Sequence, residues 1–227
     1  MTTTLITGGN RGIGFETARQ LIQLGHTVFI GARDEARGQQ AATKLGARFL
    51  QLDVTDDASV DAAAKAIGSL DVLINNAGIS GPMVPVLEIT VEAMRTVYET
   101  NVFSVVRVTR AMLPLLRKSS GPVIVNVGSG LGSSSVVLDP RRLESKVPAL
   151  AYASSKSALA MLTVQYSMAL PEVRVNVVDP GYTATDFNQH RGHQTVEQGA
   201  EIIVKMARVG RDGPTGTFSN RHGTVTW

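Results

Sequence analysis

The sequence predicts a doubly wound parallel α/β sheet in a single domain. Three observations carry that reading. Short apolar runs rich in Val, Ile and Leu alternate with longer helical stretches along the whole chain, the pattern of successive βαβ units. The runs are continuously apolar, as strands are when helices cover both faces of the sheet. A glycine-rich turn follows the first run.

The elements are read in order. Residues 5–7 form a first strand. Residues 12–24 read as a helix with Ile13, Thr17, Leu21 and Leu24 on one face, and Gly25 closes it because glycine tolerates the left-handed turn that ends helices. Residues 27–30 are the second strand, 34–45 the second helix and 47–52 the third strand. Asp56 can cap a third helix reaching about Ile67, since a short acidic side chain accepts from the free N–H groups of a first turn. Residues 71–74 are strand four, 90–118 two helical stretches, 123–127 strand five, 151–170 a long helix and 173–178 strand six. A helix over 196–207 leads to a short strand near Thr217 and Phe218, while 130–150 lacks periodicity and reads as a loop.

Composition narrows the chemistry. The 227 residues are 43% hydrophobic and 18% charged, which suits one globular domain over residues 1–227 and is too apolar for a disordered chain. The chain has no cysteine, which excludes disulfides, thiolate catalysis and cysteine-ligated zinc or iron–sulfur clusters. A reducing cytoplasm fits this and is the expected location. No run approaches the ~18 apolar residues of a membrane span, and no signal peptide is expected at the start. The net charge of +3 is scattered, so nucleic acid is not an expected partner. His190 and His193 lie close in a polar stretch without further ligands, so no metal is expected.

Residues 7–14 read Thr-Gly-Gly-Asn-Arg-Gly-Ile-Gly. Glycines at such a turn let the backbone approach a pyrophosphate, and the helix N-terminus then offers N–H groups and a positive dipole end to it. Gly8, Asn10, Arg11, Gly12, Ile13 and Gly14 are the candidate cradle. Tyr152 and Lys156 stand four apart and share a helix face. An ammonium beside a phenol stabilises tyrosinate, which predicts a lowered tyrosine pKa.

These motifs come in a fixed order: the glycine turn, Asn75-Asn76-Ala77-Gly78 after strand four, Ser129 after strand five, Tyr152 with Lys156, and Pro180-Gly181 after strand six. In that order they resemble the short-chain dehydrogenase/reductase family, over nearly the whole chain. The resemblance implies a Rossmann fold with seven parallel strands. It implies that Tyr152 is the general acid in reduction and the base in oxidation. Lys156 would also bind the nicotinamide ribose, Ser129 the substrate oxygen, and Asn101 a water linked to the lysine. Asp53 and Val54 match the adenine contact, Asn76, Ala77 and Gly78 line the cofactor, and Pro180, Gly181, Thr183 and Thr185 match the segment meeting the carboxamide and pyrophosphate.

The choice of cofactor turns on the end of strand two. NAD-binding units place an acid there for the ribose 2′-OH. Here Ala32 takes that place, Arg33 follows, and Arg11 rises from the glycine turn. Two guanidinium groups can clamp a 2′-phosphate, which points to NADP(H). Asp34 competes with this reading if the strand ends one or two residues later. The expected activity is hydride transfer from NADPH to a small carbonyl compound. The rivals are an NAD-linked alcohol dehydrogenase and a non-catalytic NADP-binding redox sensor. The interval from Ser129 to Tyr152 is longer than in most family members. If residues 138–150 fold back over the tyrosine helix and the helix before it, they favour a monomer or homodimer over a tetramer.

Overall fold

A computed structural model describes residues 2–227. Its strands are β1 (Thr3–Thr7), β2 (Thr27–Ala32), β3 (Arg48–Gln51), β4 (Val72–Asn75), β5 (Val123–Val127), β6 (Arg174–Asp179), β7 (Phe218–Asn220) and β8 (Gly223–Thr224). They form one sheet in the order β3-β2-β1-β4-β5-β6-β7-β8. The first seven are parallel, as expected, and β8 turns back antiparallel on β7. This eighth strand corrects the expected count. It is two residues long, and Gly223 at its start has a φ of 135°. So short an element leaves almost no periodic signal.

The helices are α1 (Gly12–Gln23), α2 (Glu35–Leu45), α3 (Asp57–Ala66), α4 (Val91–Tyr98), α5 (Ser104–Leu116), α6 (Ser134–Val137), α7 (Leu150–Ala169) and α8 (Val196–Ala207). Strand alternation builds the two cores. Ile6, Val72, Ile74, Val123 and Val125 pack with Ala18, Leu21 and Ile203 of α1 and α8 on one face. Leu5, Leu73 and Ile124 pack with Val60, Val108 and Met112 of α3 and α5 on the other. Successive side chains point to opposite faces, so strands covered on both sides must be apolar throughout.

Caps fix the helix starts. Asp34 accepts from Arg37 N at 2.9 Å and Asp56 from Ser59 N at 2.6 Å. Thr195 and Gln198 form a reciprocal capping box on α8. Residues 130–150 hold more structure than a loop, with α6 and short turns at Gly130–Gly132 and Glu144–Lys146. Ser133 and Ser135 tie this segment to Thr226 O. Phe103 just before α5, Val106 of α5, and Met161 and Met168 of α7 remain exposed, so the segment does not seal the outer faces of those helices.

Strand order reverses between β1 and β4. In doubly wound sheets the crevice beyond the strand C-termini at such a point is where ligands bind.

Candidate active site

The cradle opens at the end of β1. Gly8 and Gly12 take φ of 64° and 54°, a left-handed conformation that favours glycine. A Cβ on Gly14 would sit 2.5 Å from Asn76 Nδ2 and 2.7 Å from Gly8 O, so only glycine lets α1 begin this close to the sheet. Asn76 Nδ2 donates to Thr7 O at 2.9 Å and Gly8 O at 3.1 Å. The Thr7 hydroxyl accepts from Asn76 N and Ala77 N, each at 3.0 Å. The first and fourth strand ends are thereby locked together. The N-terminus of α1 carries no side-chain cap, which leaves its leading N–H groups to an anion. This cradle, whose glycines are held by positive φ at Gly8 and Gly12 and by close packing at Gly14, fits a dinucleotide pyrophosphate.

Behind it runs a buried polar chain. Asn75 Nδ2 donates to Asn126 Oδ1 at 2.9 Å, and Asn126 Nδ2 donates to Thr163 Oγ1 at 2.9 Å. It joins β4, β5 and α7 across the sheet centre. Asn75 was not singled out from the sequence as a separate element, and its signal was an amide in an otherwise apolar strand.

Four candidate catalytic residues converge at the ends of β4 and β5. Asn101 lies in a π-helical turn, Glu99–Phe103, between α4 and α5, a wide turn often found at functional sites. Its Oδ1 accepts from Ile79 N at 2.9 Å, and its Nδ2 donates to Ile79 O at 2.9 Å and Ser155 Oγ at 3.0 Å. A Cβ on Gly78 would fall 3.3 Å from Asn101 Oδ1 and 3.7 Å from Lys156 Nζ, so these two groups flank one point. Lys156 is only 5% exposed and donates to Val127 O at 2.8 Å. Burial pulls its ammonium down to about 8. Its Nζ lies 5.5 Å from the Tyr152 ring centre.

Tyr152 is half-buried. Burial pushes its phenol up, the Ser129 hydroxyl draws it partly down, and Asp179 adds to the rise. The expected lowering by the ammonium is not found: burial outweighs what draws the phenol down, and Lys156 bonds a backbone carbonyl. Ser129 is set by its turn, where its hydroxyl accepts from Leu131 N at 3.3 Å.

The remaining candidates ring the crevice. Thr183 and Thr185 are buried, and Thr185 sides with Gly12, whose added Cβ would lie 3.5 Å from Thr185 Cγ2. Gly181 takes a φ of 77°, and the Pro180 carbonyl accepts from the Thr183 hydroxyl. Ile13 packs on the core instead of facing outward. Val54 is likewise buried, and its carbonyl accepts from Arg107 at 3.0 Å. Burial raises the Asp53 carboxyl, but bonds from Thr55, with Arg33 and Arg107 nearby, leave it below its ordinary value. Arg33 and Asp53 line one pocket with Gln51 and Ser59. Arg11 is 70% exposed and stands 4.0 Å from Asp186. Asp34 caps α2 and pairs with Arg37 at 3.4 Å. His190 bonds Asp186 at 3.0 Å, whereas His193 sits against Tyr182.

Two residues missed by sequence reasoning border the same space. Phe187, 46% exposed, lies 5.7 Å from the Tyr152 ring. Asp179 ends β6 and accepts from Gly181 N at 2.9 Å. An aromatic in a polar stretch was the only trace of the first, and adjacency to Pro180 the only trace of the second.

A parallel Rossmann sheet with a glycine cradle and a Ser-Tyr-Lys cluster at its switch point defines a dinucleotide-type oxidoreductase. The short chain dehydrogenase profile matches residues 2–196, and the protein belongs to that family. It is 32% identical to a (+)-neomenthol dehydrogenase of Capsicum annuum, over 96% of this chain and 95% of that protein. It is 32% identical to salutaridine reductase of Papaver bracteatum, over 96% and 94%. Both alignments span more positions than this chain has residues, 297 and 291 against 227, so those relatives carry segments absent here. The solved NADPH-bound carbonyl reductase from chicken fatty liver superposes with a TM-score of 0.88 at 30% identity, covering 100% of this chain and 99% of that one. Among the described residues no helix is long and apolar enough to cross a membrane.

Proposed function

We propose that the protein is an NADP(H)-dependent carbonyl reductase that converts a small ketone or aldehyde to an alcohol, reversibly. The observation that carries this reading is buried Lys156, whose Nζ lies 5.5 Å from the centre of the Tyr152 ring, with Ser129 acting on the same phenol. A nicotinamide cofactor, when bound, supplies the hydride. Tyr152 donates the proton to the developing alkoxide, and Ser129 holds the carbonyl oxygen. Lys156 keeps the tyrosine's surroundings cationic and offers N–H donors to a ribose. Asn101 holds the turn at Ile79 against the helix of Tyr152.

Arg11 and Arg33 would hold a 2′-phosphate. Asp34 supports this choice, because its carboxylate is engaged as the α2 cap and with Arg37. The carbonyl reductase relative bound to NADPH supports it as well. Measuring dissociation constants for NADPH and NADH tests it, and equal or tighter NADH binding overturns it. A monomer or homodimer belongs to the same proposal. Light scattering at micromolar concentration that gives a stable tetramer overturns that part, and the exposed faces of α5 and α7 are the surface such a tetramer would use.

A further inference from the structure

Ser129 and Ser133 belong to one bonded turn. Ser129 O accepts from Gly132 N at 2.8 Å, and Gly130 O from Ser133 N at 3.1 Å. One side of this turn packs on α7. A Cβ on Gly132 would fall 2.7 Å from the Lys156 carbonyl carbon, and Ser157 Oγ donates to Gly132 O at 2.9 Å. A second hold comes from residues 225–227, which follow β8 at the edge of the sheet. Ser133 is 1% exposed. Its hydroxyl donates to Thr226 O at 2.5 Å and accepts from Val136 N at 3.2 Å. Ser135 adds its own hydroxyl to Thr226 O at 3.2 Å and its N–H to Trp227 O at 3.4 Å.

Apolar contacts seat the same segment. Val225 is buried in a cluster with Val136 of α6, Val177 of β6 and Phe218 of β7. Its N–H donates to Phe218 O at 2.8 Å, and the Trp227 ring lies 5.6 Å from the Phe218 ring. The segment is thus fastened to the sheet by its side chains and to the Ser129 turn through Ser133.

We propose that residues 225–227 are a positioning strap for the reaction: acting through Ser133, they hold the turn that aims the Ser129 hydroxyl at the carbonyl oxygen. This inference rests on the assignment of Ser129 as the group that holds that oxygen. The Ser129 hydroxyl accepts from Leu131 N at 3.3 Å, a long bond that leaves its aim to the backbone around it. A donor to the carbonyl oxygen contributes most as negative charge develops there. An error in its placement therefore lowers kcat more than it raises KM.

Trp227 is the chain's single tryptophan, so its fluorescence reads the strap directly. In Ser133→Ala its emission is expected to move to the red and its quenching by acrylamide to rise. The kcat of carbonyl reduction should fall about three- to ten-fold, the size of one lost hydrogen bond, with the NADPH dissociation constant unchanged. Trp227→Ala truncates a side chain already 45% exposed and loosens the strap by a second route should Ser133→Ala fold poorly. Trp227→Phe keeps a ring against Phe218 and should restore kcat. The decisive comparison pairs each strap variant with Ser129→Ala. A strap that works through Ser129 has nothing left to position there, so the double variants should be no slower than Ser129→Ala alone. Losses that multiply in the double variants overturn the proposal. So does a normal kcat in either single variant that folds, or a fallen kcat in Ser133→Ala with the tryptophan signal unmoved. Ser129→Ala itself separates the two levels: normal turnover there means that the assignment of Ser129 has failed, whereas a slow Ser129→Ala beside strap variants of normal kcat sinks only the present inference.

Discussion

On one side of the crevice, Asn101 and Lys156 are buried and held by bonds of 2.8 to 3.0 Å, with half-buried Ser129 and Tyr152 beside them. On the other side, Arg11 and Asp186 face solvent 4.0 Å apart, and Phe187 is nearly half exposed. The first side makes a proton donor, whose performance depends on fixed geometry and controlled pKa. The second side chooses ligands, and exposed side chains on turns can change without disturbing a core. Chemistry is thus concentrated where the fold is least free to vary, and selectivity where it is most free.

The sharpest way to break that division is Tyr152→Phe. It removes one hydroxyl, so NADPH binding should stay and reduction should fall about a hundred-fold or more. Steady-state kinetics with a fluorescence titration of cofactor checks both halves. Next comes the exposed side. Charge-assisted contacts contribute about 1.5–3 kcal/mol each, so placing Asp at Ala32 with Arg33→Ala should reverse an NADPH preference of about ten-fold to several hundred-fold. Because Ala32 is buried while Arg33 is exposed, Arg33→Ala alone should weaken NADPH with little change in melting temperature. A large loss of stability there would mean that the two sides are not separable.

Asp34→Ala should cost about 1 kcal/mol of stability through the lost α2 cap, seen in urea unfolding, while leaving the ratio of NADPH to NADH affinity unchanged. A changed ratio would return Asp34 to the ribose. The smallest effect concerns Lys156. Its folded value of about 8 lies below its ordinary 10.5, so the folded state binds fewer protons than the unfolded state between them. The lysine's contribution therefore grows as pH rises through that window and is lost as pH falls toward 8. Lys156→Met should flatten the rise in unfolding free energy between about pH 8 and pH 9, below the ~10 near which tyrosines of the unfolded chain ionise.

The strand and helix order was legible because both periodicities are strong here. Strand β5 and helix α8 fall where the pattern puts them, and Asp56 caps α3 as its position suggests. The catalytic candidates were legible because each stands at an element end fixed by a motif. Asp179 and Glu144 were not, because what joins them to Ser129 is the pairing of β5 with β6 and a close approach at Gly130. Those contacts are distant in sequence. The rise of the Tyr152 pKa was missed for a related reason. Spacing gives the neighbouring ammonium, but the degree of burial depends on everything packed around the ring. The turns at 130–132 and 144–146 and the strand β8 were hidden by their brevity.

The amide pair at the sheet centre carries a consequence for assembly. Asn75 and Asn126 meet as register partners in β4 and β5. Sliding either strand by one residue would turn one amide toward the helices on the opposite face and strand its partner in hydrocarbon. A buried polar group left without its bond costs about 1–3 kcal/mol. Apolar runs such as Val72 to Ile74 and Val123 to Val125 offer no comparable penalty, since Val, Ile and Leu tolerate one another in almost any alignment. The two asparagines therefore act as a key cut into an otherwise smooth pair of strands, admitting a single alignment of the halves that bear the glycine cradle and the reactive serine.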